Sequence, residues 1–279
     1  MSVSFGTGSR IIEPELVSVV IPTWNSGDTL ERCLRSLTDQ TYKNYEFVVV
    51  DRNSWDDTTK IAGRYAEVLQ CDAERSKARN LGAEHSRGGF LLFVDSDMTA
   101  DPSLVQECVG LARGGCDAVI ITEQTIGDSF LARARALERS RNYNSTLYEA
   151  ARFLTKDSFN TAGRYSSDLV GFEDFDLQAR LEKKGFTIGR ASGYLYHWED
   201  KLTLGHHLRK KKAYVRAARR YLGLNPERAL KQLFPTKLLG AVRDLDSWRK
   251  AHLLVGLGFL KTLEIVVCIP EFLKHERAQ

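Results

Sequence analysis

Runs of apolar residues that stop at acidic or small polar positions recur along the first 200 residues. Phe90-Leu91-Leu92-Phe93-Val94 is apolar throughout with no polar alternation and ends at Asp95-Ser96-Asp97, the pattern of a strand buried on both faces. Residues 16–21 make a similar run closing on Pro22-Thr23-Trp24-Asn25-Ser26-Gly27, after which Asp28 is placed to cap a helix reaching about residue 40. Residues 45–50 predict a strand ending at Asp51, and Asp56-Asp57 start another helix. A helix is predicted over 74–84, with Arg75 and Arg79 four apart on one face. A helix over 102–113, a strand over 118–122, a helix over 173–184 and a short aromatic strand over 194–198 follow. Such alternation implies an α/β fold, a mostly parallel sheet with helices on both sides.

Composition adds bounds to this pattern. A chain of 279 residues with 43% hydrophobic and 27% charged side chains can bury a sizeable core and falls in the soluble globular class. The five cysteines are odd in number and contain no CxxC pair, which points to reduced thiols and not to a disulfide framework or zinc site. The first dozen residues are polar and carry no signal-peptide core, so export is not expected. Net charge is +4, but it is unevenly divided: 17 Lys+Arg stand against 6 Asp+Glu from residue 201 onward, and 23 against 30 before it. An acidic-to-neutral body therefore carries a basic tail suited to an anionic partner.

The chemistry concentrates at the strand ends. Side chains at i and i+2 of a strand share a face, so Asp95 and Asp97 are expected to point the same way. Two carboxylates so placed repel unless a cation or donors lie between them, and the crevice beyond the carboxyl ends of an α/β sheet is where ligands bind. Solvated loop acids ahead of an Asp101-Pro102 helix start would give the same spacing. Glu173-Asp174 opens a helix after Gly171, where the helix dipole alone also favours acids.

Taken in order, Val-Ser-Val-Val-Ile-Pro22-Thr23-Trp24-Asn25, Val-Val-Val-Asp51, Ser76-Lys77-Ala78-Arg79-Asn80-Leu81-Gly82, Asp95-Ser96-Asp97 and Gly171-Phe172-Glu173-Asp174-Phe175-Asp176-Leu177 resemble the signatures of family 2 glycosyltransferases of GT-A fold, over roughly residues 16–200. The resemblance implies sugar transfer from a UDP- or GDP-linked donor with inversion at the anomeric carbon. It puts Pro22, Thr23, Asn25 and Asp51 at the donor's base, and Asp95, Ser96 and Arg79 at its ribose and diphosphate. Asp97, with Asp95 and His197, would hold Mn²⁺ or Mg²⁺, since carboxylate oxygens suit these ions. Asp174 would be the general base, with Glu173 binding acceptor or holding the loop. One departure is Arg52, which stands where many relatives have a second acid, leaving the base identity open. Trp24, Trp55 and Trp198 are expected to pack in the core, although each could stack on a base or sugar.

Residues 1–200 are read as the catalytic GT-A unit and 201–279 as a helical extension. Arg209-Lys210-Lys211-Lys212 is expected to hold the phosphate of a lipid-linked glycan acceptor. The apolar stretch 253–269 contains Lys261 and Glu264 and ends at Pro270, so it is expected to lie on an anionic membrane and not to span it, unless it simply packs on the body. The resulting expectation is a cytoplasmic enzyme, peripheral on the membrane face. Two other readings use the same fold. A sugar-nucleotide nucleotidyltransferase would need a glycine-rich, arginine-containing loop where Pro22-Thr23-Trp24-Asn25-Ser26 stands. A non-catalytic binding module would not need Asp95, Asp97 and Asp174. Nucleic acid is not expected, since no reading motif accompanies the charge.

Overall fold

The computed structural model describes residues 12–199, 202–233 and 251–274, so the amino-terminal stretch read for export lies outside the described residues up to position 11. At the centre is β1 (Glu13–Thr23), buried from Leu16 onward. It pairs in parallel with β2 (Tyr45–Asp51) on one side and β4 (Gly88–Phe93) on the other. A short β3 (Val68–Gln70) extends β2, also in parallel. Ser18, a polar residue in the middle of the buried part of β1, is satisfied: its hydroxyl donates to Glu46 at 2.6 Å and accepts from the Gly88 N–H at 2.9 Å.

Alternation along these strands builds two cores. Val17, Val19 and Ile21 of β1, with Phe90, Leu92 and Val94, face α1 (Leu30–Thr38) and α4 (Leu104–Arg113). Val20, Val50, Leu91 and Phe93 face the opposite layer, built from α3 (Arg75–His85), α6 (Lys156–Thr161) and α7 (Glu173–Lys183). The run 90–94 is thus buried on both faces, as its lack of alternation predicted. α1 forms because Leu30, Cys33, Leu34 and Leu37 recur at helical spacing. It starts after Thr29 and not at Asp28. The short α2 (Thr58–Ala62) begins after Asp57.

Beyond β4 the sheet becomes mixed. β7 (Ala151–Thr155) is antiparallel to both β4 and β6 (Ala118–Ile126), while β8 (Ile188–Trp198) runs parallel to β6 and β5 (Met98–Ala100) closes the edge antiparallel to β8. The strand order is β3-β2-β1-β4-β7-β6-β8-β5. β7 escapes the hydrophobic pattern because Arg152 interrupts it, and that arginine is buried by its ion partners.

After α5 (Phe130–Ser140), the remaining helices follow β8: α8 (Leu204–Ala213), α9 (Val215–Leu224), α10 (Pro226–Leu233) and α11 (Ala251–Lys274). α11 extends past both ends of the stretch 253–269 and does not stop at Pro270. The helix continues through Pro270 for 24 residues and is long and apolar enough to cross a membrane by length and composition. It packs against α5, α8 and α9.

A close approach fixes α3 on the sheet. A Cβ at Gly82 would lie 2.4 Å from Val20 Cγ1 and 3.1 Å from Val50 Cγ2, so only glycine lets the helix sit at this depth. Gly82→Val is expected to lower stability by about 2 kcal/mol or more through overpacking, seen as a lower urea midpoint at unchanged slope. An unchanged midpoint would mean that α3 can ride outward freely.

Candidate functional site

The carboxyl ends of β1 and β2 are tied by short polar contacts. Asp51 is fully buried, and its Oδ1 accepts from the Thr23 hydroxyl at 3.0 Å and the Ser54 hydroxyl at 2.6 Å, while Oδ2 accepts from the Ser54 N–H at 2.8 Å. Asn25 and Asn53 both have φ of 48°, a left-handed turn that asparagine tolerates. The Asn25 N–H donates to Ser54 Oγ at 2.8 Å, and Asn25 Oδ1 accepts from the Trp55 N–H at 3.1 Å, so the two loops staple each other. Pro22 is still within β1. Ser96 joins this group through its hydroxyl, 2.8 Å from that of Ser26.

Trp24 and Trp55 stand at the rim and not in the core: they are 53% and 77% exposed and meet edge to face at 5.7 Å. They extend from loops whose backbone is consumed by the polar staple. Arg52 lies 5.6 Å over the Trp24 ring and pairs with Glu74 at 2.9 Å. Trp198 is half-buried, with Arg32 over its ring and its indole N–H on Thr99.

Arg79 organises the centre. Although fully buried, its guanidinium binds three carboxylates: Asp95 Oδ1 at 2.6 Å, Asp174 Oδ1 at 3.0 Å and Glu173 Oε1 at 3.3 Å. Arg75, one turn earlier on α3, adds a 3.0 Å contact to Glu173. The Arg79 guanidinium also faces the Tyr165 ring at 5.3 Å. Burial opposes its charge, but the surrounding acids, Asp95 foremost, raise its pKa well above the ordinary value.

Arg79 was expected to meet a diphosphate. It is instead the internal counter-ion of the acids. Glu173 is wholly buried, and its second oxygen accepts from the Gly171 N–H, so it holds the loop. Asp174 retains 23% exposure, and its contact with Arg79 uses one of its two oxygens.

Asp95 and Asp97 do not share a strand face. β4 ends at Phe93, and both acids lie in the turn before β5. Because the strand alternation no longer applies, they diverge. Asp95 turns to Arg79 and, at 3.5 Å, to Arg152. Asp97 turns to His197, whose Nε2 lies 3.0 Å from its Oδ2. Pairing of β5 with β8 places Met98 opposite His197 and so creates this contact.

Among the described residues no group of three or more His, Cys, Asp or Glu is placed to hold a metal. The Asp97–His197 pair nonetheless suits one as a partial site. Asp97 Oδ1 is buried without a hydrogen-bond partner, and a carboxylate beside an imidazole is a donor set that leaves positions for phosphate oxygens and water. Asp95, saturated by two arginines, fits the role of ligand less well.

Behind the site, Arg152 also binds Glu123, which meets Arg139 at 3.0 Å. This buried array had no signature in the sequence, since its members lie in three separate elements. A single arginine inside an apolar stretch was the only available signal.

The basic cluster divides. Lys211 reaches Glu264 of α11 at 3.8 Å, and Lys212 reaches Glu271 at 3.0 Å. Arg209 is exposed on the outer side of α8. Lys210 is exposed as well; desolvation of its ammonium, followed by Arg75, lowers its pKa, with Asp95 and Asp97 acting in the opposite direction.

The model for "Glycosyl transferase family 2" matches residues 18–169, just over half of the chain and the part that carries the stapled loops and the Arg79–Asp95 pair. The chain belongs to this family. Relatives include the glycosyltransferase AglE of Haloferax volcanii, 36% identical over 37% of this chain and 38% of that protein, and the cholesterol galactosyltransferase of Borreliella burgdorferi, 26% identical over 55% and 45%. The chain thus spans less than half the length of these two relatives. Among solved structures, the mannosyltransferase PcManGT of Pyrobaculum calidifontis, in complex with GDP-Man and Mn²⁺, has a TM-score of 0.60 over 93% of this chain and 87% of that one, at 16% identity. The fold of this family 2 chain is accordingly GT-A, a mixed sheet of eight strands flanked by helices with a C-terminal helix.

Acid titration probes the buried array of the family 2 chain. Burial raises the pKa of Asp95, but Arg79, Arg152 and Arg75 more than offset it and hold the group well below the ordinary carboxylate value. Burial likewise works against the Glu123 charge, yet Arg152 and Arg139 lower its pKa to about 2. Depressed carboxylates contribute stability that is complete above their unfolded pKa of about 4 and is lost as pH falls from there through the folded value. Arg152→Met should cost about 3–5 kcal/mol near neutral pH by leaving buried charge unpaired, and should flatten the fall in melting temperature between about pH 4 and 2. Parallel melting curves across that range would refute the array's contribution.

Proposed function

We propose that the chain moves a hexose from a UDP- or GDP-linked donor to a hydroxyl of a lipid-linked glycan, with inversion, on the cytoplasmic face of a membrane. The observation that carries this reading is the position of Asp174: it opens α7, keeps part of its carboxylate accessible, and is held by the same buried arginine that holds Asp95 at the strand end. GDP-Man and Mn²⁺ bound to PcManGT, and the activity named for the Borreliella relative, support a nucleotide-sugar donor and a lipid acceptor.

In this mechanism Asp174 accepts the acceptor hydroxyl's proton as that oxygen attacks the anomeric carbon. The new C–O bond forms opposite the breaking bond to phosphate, whose electron pair leaves with the diphosphate. Thr23, Asn25 and Asp51, with Pro22 shaping the strand end, orient the base, and Ser96 lies beside the ribose. Glu173 fixes the loop that carries Asp174. Asp97 and His197 are the residues to hold Mn²⁺ or Mg²⁺, which when bound neutralises charge building on the diphosphate. Asp95 and Arg79 act from behind by setting the positions of Asp97's turn and of Asp174.

Residues 1–200 form the donor-binding and catalytic unit in this reading, and 201–279 the acceptor-facing one. Support comes from contacts with the base loop: Tyr221 stacks on Phe172 at 5.3 Å, Asn225 donates to Asp176 at 3.2 Å, and the Tyr214 ring covers Gly171, where a Cβ would lie 2.7 Å away. Arg209 and Lys210 remain to meet an acceptor phosphate, whereas Lys211 and Lys212 serve it less directly through their pairing with α11.

Release of nucleoside diphosphate in the presence of a polyprenyl-linked glycan tests the proposal. Asp174→Asn should lower kcat by about 10²- to 10⁴-fold while calorimetric donor binding persists. Undiminished turnover would exclude Asp174 as base. Asp97→Ala should weaken metal activation by about 10- to 100-fold, read as a shift in the Mn²⁺ concentration that gives half-maximal rate. An unmoved midpoint would exclude Asp97 as a ligand.

A further inference from the structure

α11 has its polarity reversed relative to a surface helix of a soluble protein. Leu253, Leu257 and Leu260 face the body and are buried. Lys261 and Glu264 turn inward with them. Glu264 accepts from His207 of α8 at 2.8 Å, and Lys261 meets Glu138 of α5 at 2.6 Å and Glu264 at 3.1 Å. The opposite face carries Val255 at 75% exposure, Phe259 at 63%, Val266 at 60% and Leu273 at 54%, with Ile265 and Ile269 alongside. At 100° per residue these positions form one continuous stripe. Its polar member, Thr262, turns its hydroxyl back onto the Gly258 carbonyl at 3.0 Å.

The geometry points to this stripe as an in-plane membrane contact, with α11 sunk lengthwise into the boundary of an anionic lipid leaflet. The inference rests on the membrane-peripheral reading above and adds the surface and the orientation. Charge identifies the occupant. Arg209 and Arg216 are exposed on the outer sides of α8 and α9, Lys212 lies against Glu271, and Arg219 sits 4.9 Å over the Phe272 ring with its guanidinium on the Phe272 carbonyl. An apolar stripe bordered by arginine and lysine matches an acyl boundary beneath anionic headgroups. The inward charges choose the orientation. A spanning α11 would have to leave α5 and α8, strip Lys261 and Glu264 from Glu138 and His207, and carry both into hydrocarbon. Lying flat, the helix keeps every one of these pairs.

The orientation also places the base loop. α9 carries Tyr221 against Phe172, and α8 ends at the Tyr214 that covers Gly171. The helices that border the stripe are therefore those that touch the loop leading into Asp174, so an acceptor anchored in the same leaflet has a short path to it.

Flotation of the full chain with phosphatidylcholine vesicles, with and without phosphatidylglycerol, tests this. The protein should float with the anionic vesicles, be released by alkaline carbonate, and stay largely in solution with phosphatidylcholine alone. The double variant Phe259→Ser, Val266→Ser should lower the floated fraction about tenfold with an unchanged melting temperature, because both side chains are already exposed in the fold. Arg209→Gln with Arg216→Gln should reduce the preference for the anionic vesicles. Failure of the wild-type chain to float, retention after carbonate, or a dimer in light scattering that the Phe259→Ser, Val266→Ser pair dissociates would each overturn the inference. Calorimetric nucleotide binding without vesicles separates the two readings. Binding without flotation removes only the lipid surface, and flotation without binding removes only the enzymatic reading.

Discussion

A guanidinium with no access to water holds this site together. Arg79 can be buried only because Asp95, Asp174 and Glu173 surround it, and those acids can lie so near one another only because it is there. Removing any one partner from such a set leaves charge in a medium that solvates it poorly. The constraint reaches the backbone as well. Gly82 lets α3 approach the sheet closely enough to carry Arg79 under the strand ends, and Glu173 binds the Gly171 N–H that starts α7. One electrostatic requirement thus couples β4, α3 and α7.

The two halves of the site differ in how they are held. Around Asp51 the loops are fastened by neutral groups, the donating hydroxyls of Thr23 and Ser54 and the Asn25 side-chain oxygen, which accepts from the Trp55 N–H. Around Asp95 they are fastened by full charges in a closed space. A hydrogen-bonded pocket suits a nucleoside, which must enter and leave. A charge-locked cluster suits groups whose positions must not drift during bond exchange.

Charge is also used internally at the far end of the chain. Glu264 collects His207, Lys211 and Lys261 between α11 and its neighbours, while the outer face of that helix is left to aliphatic side chains and Phe259. A water-facing helix would distribute these residues in the opposite sense.

The strand–helix alternation, the burial of 90–94 on both faces and the family signatures were legible in the order of residues alone. These are local properties: an unbroken apolar run, a turn after a strand, acids at a helix start. That order also nominated Thr23, Asn25, Asp51, Arg79, Asp95, Asp174 and His197 as candidates, each visible in one dimension. Which side chains meet was set by the folded arrangement. Asp95 and Asp97 separate because their turn begins after Phe93 and ends the two-residue alternation on which a shared face depends. Arg79 turns inward because acids from elsewhere in the chain reach it, and Arg152 hides within β7 because Glu123 and Asp95 lie beside it. Partners about 95 residues apart, like Arg79 and Asp174, leave no trace in local spacing. The inward turn of Lys261 and Glu264 was equally hidden: the same letters describe a solvated face until the neighbouring helices supply their counter-charges.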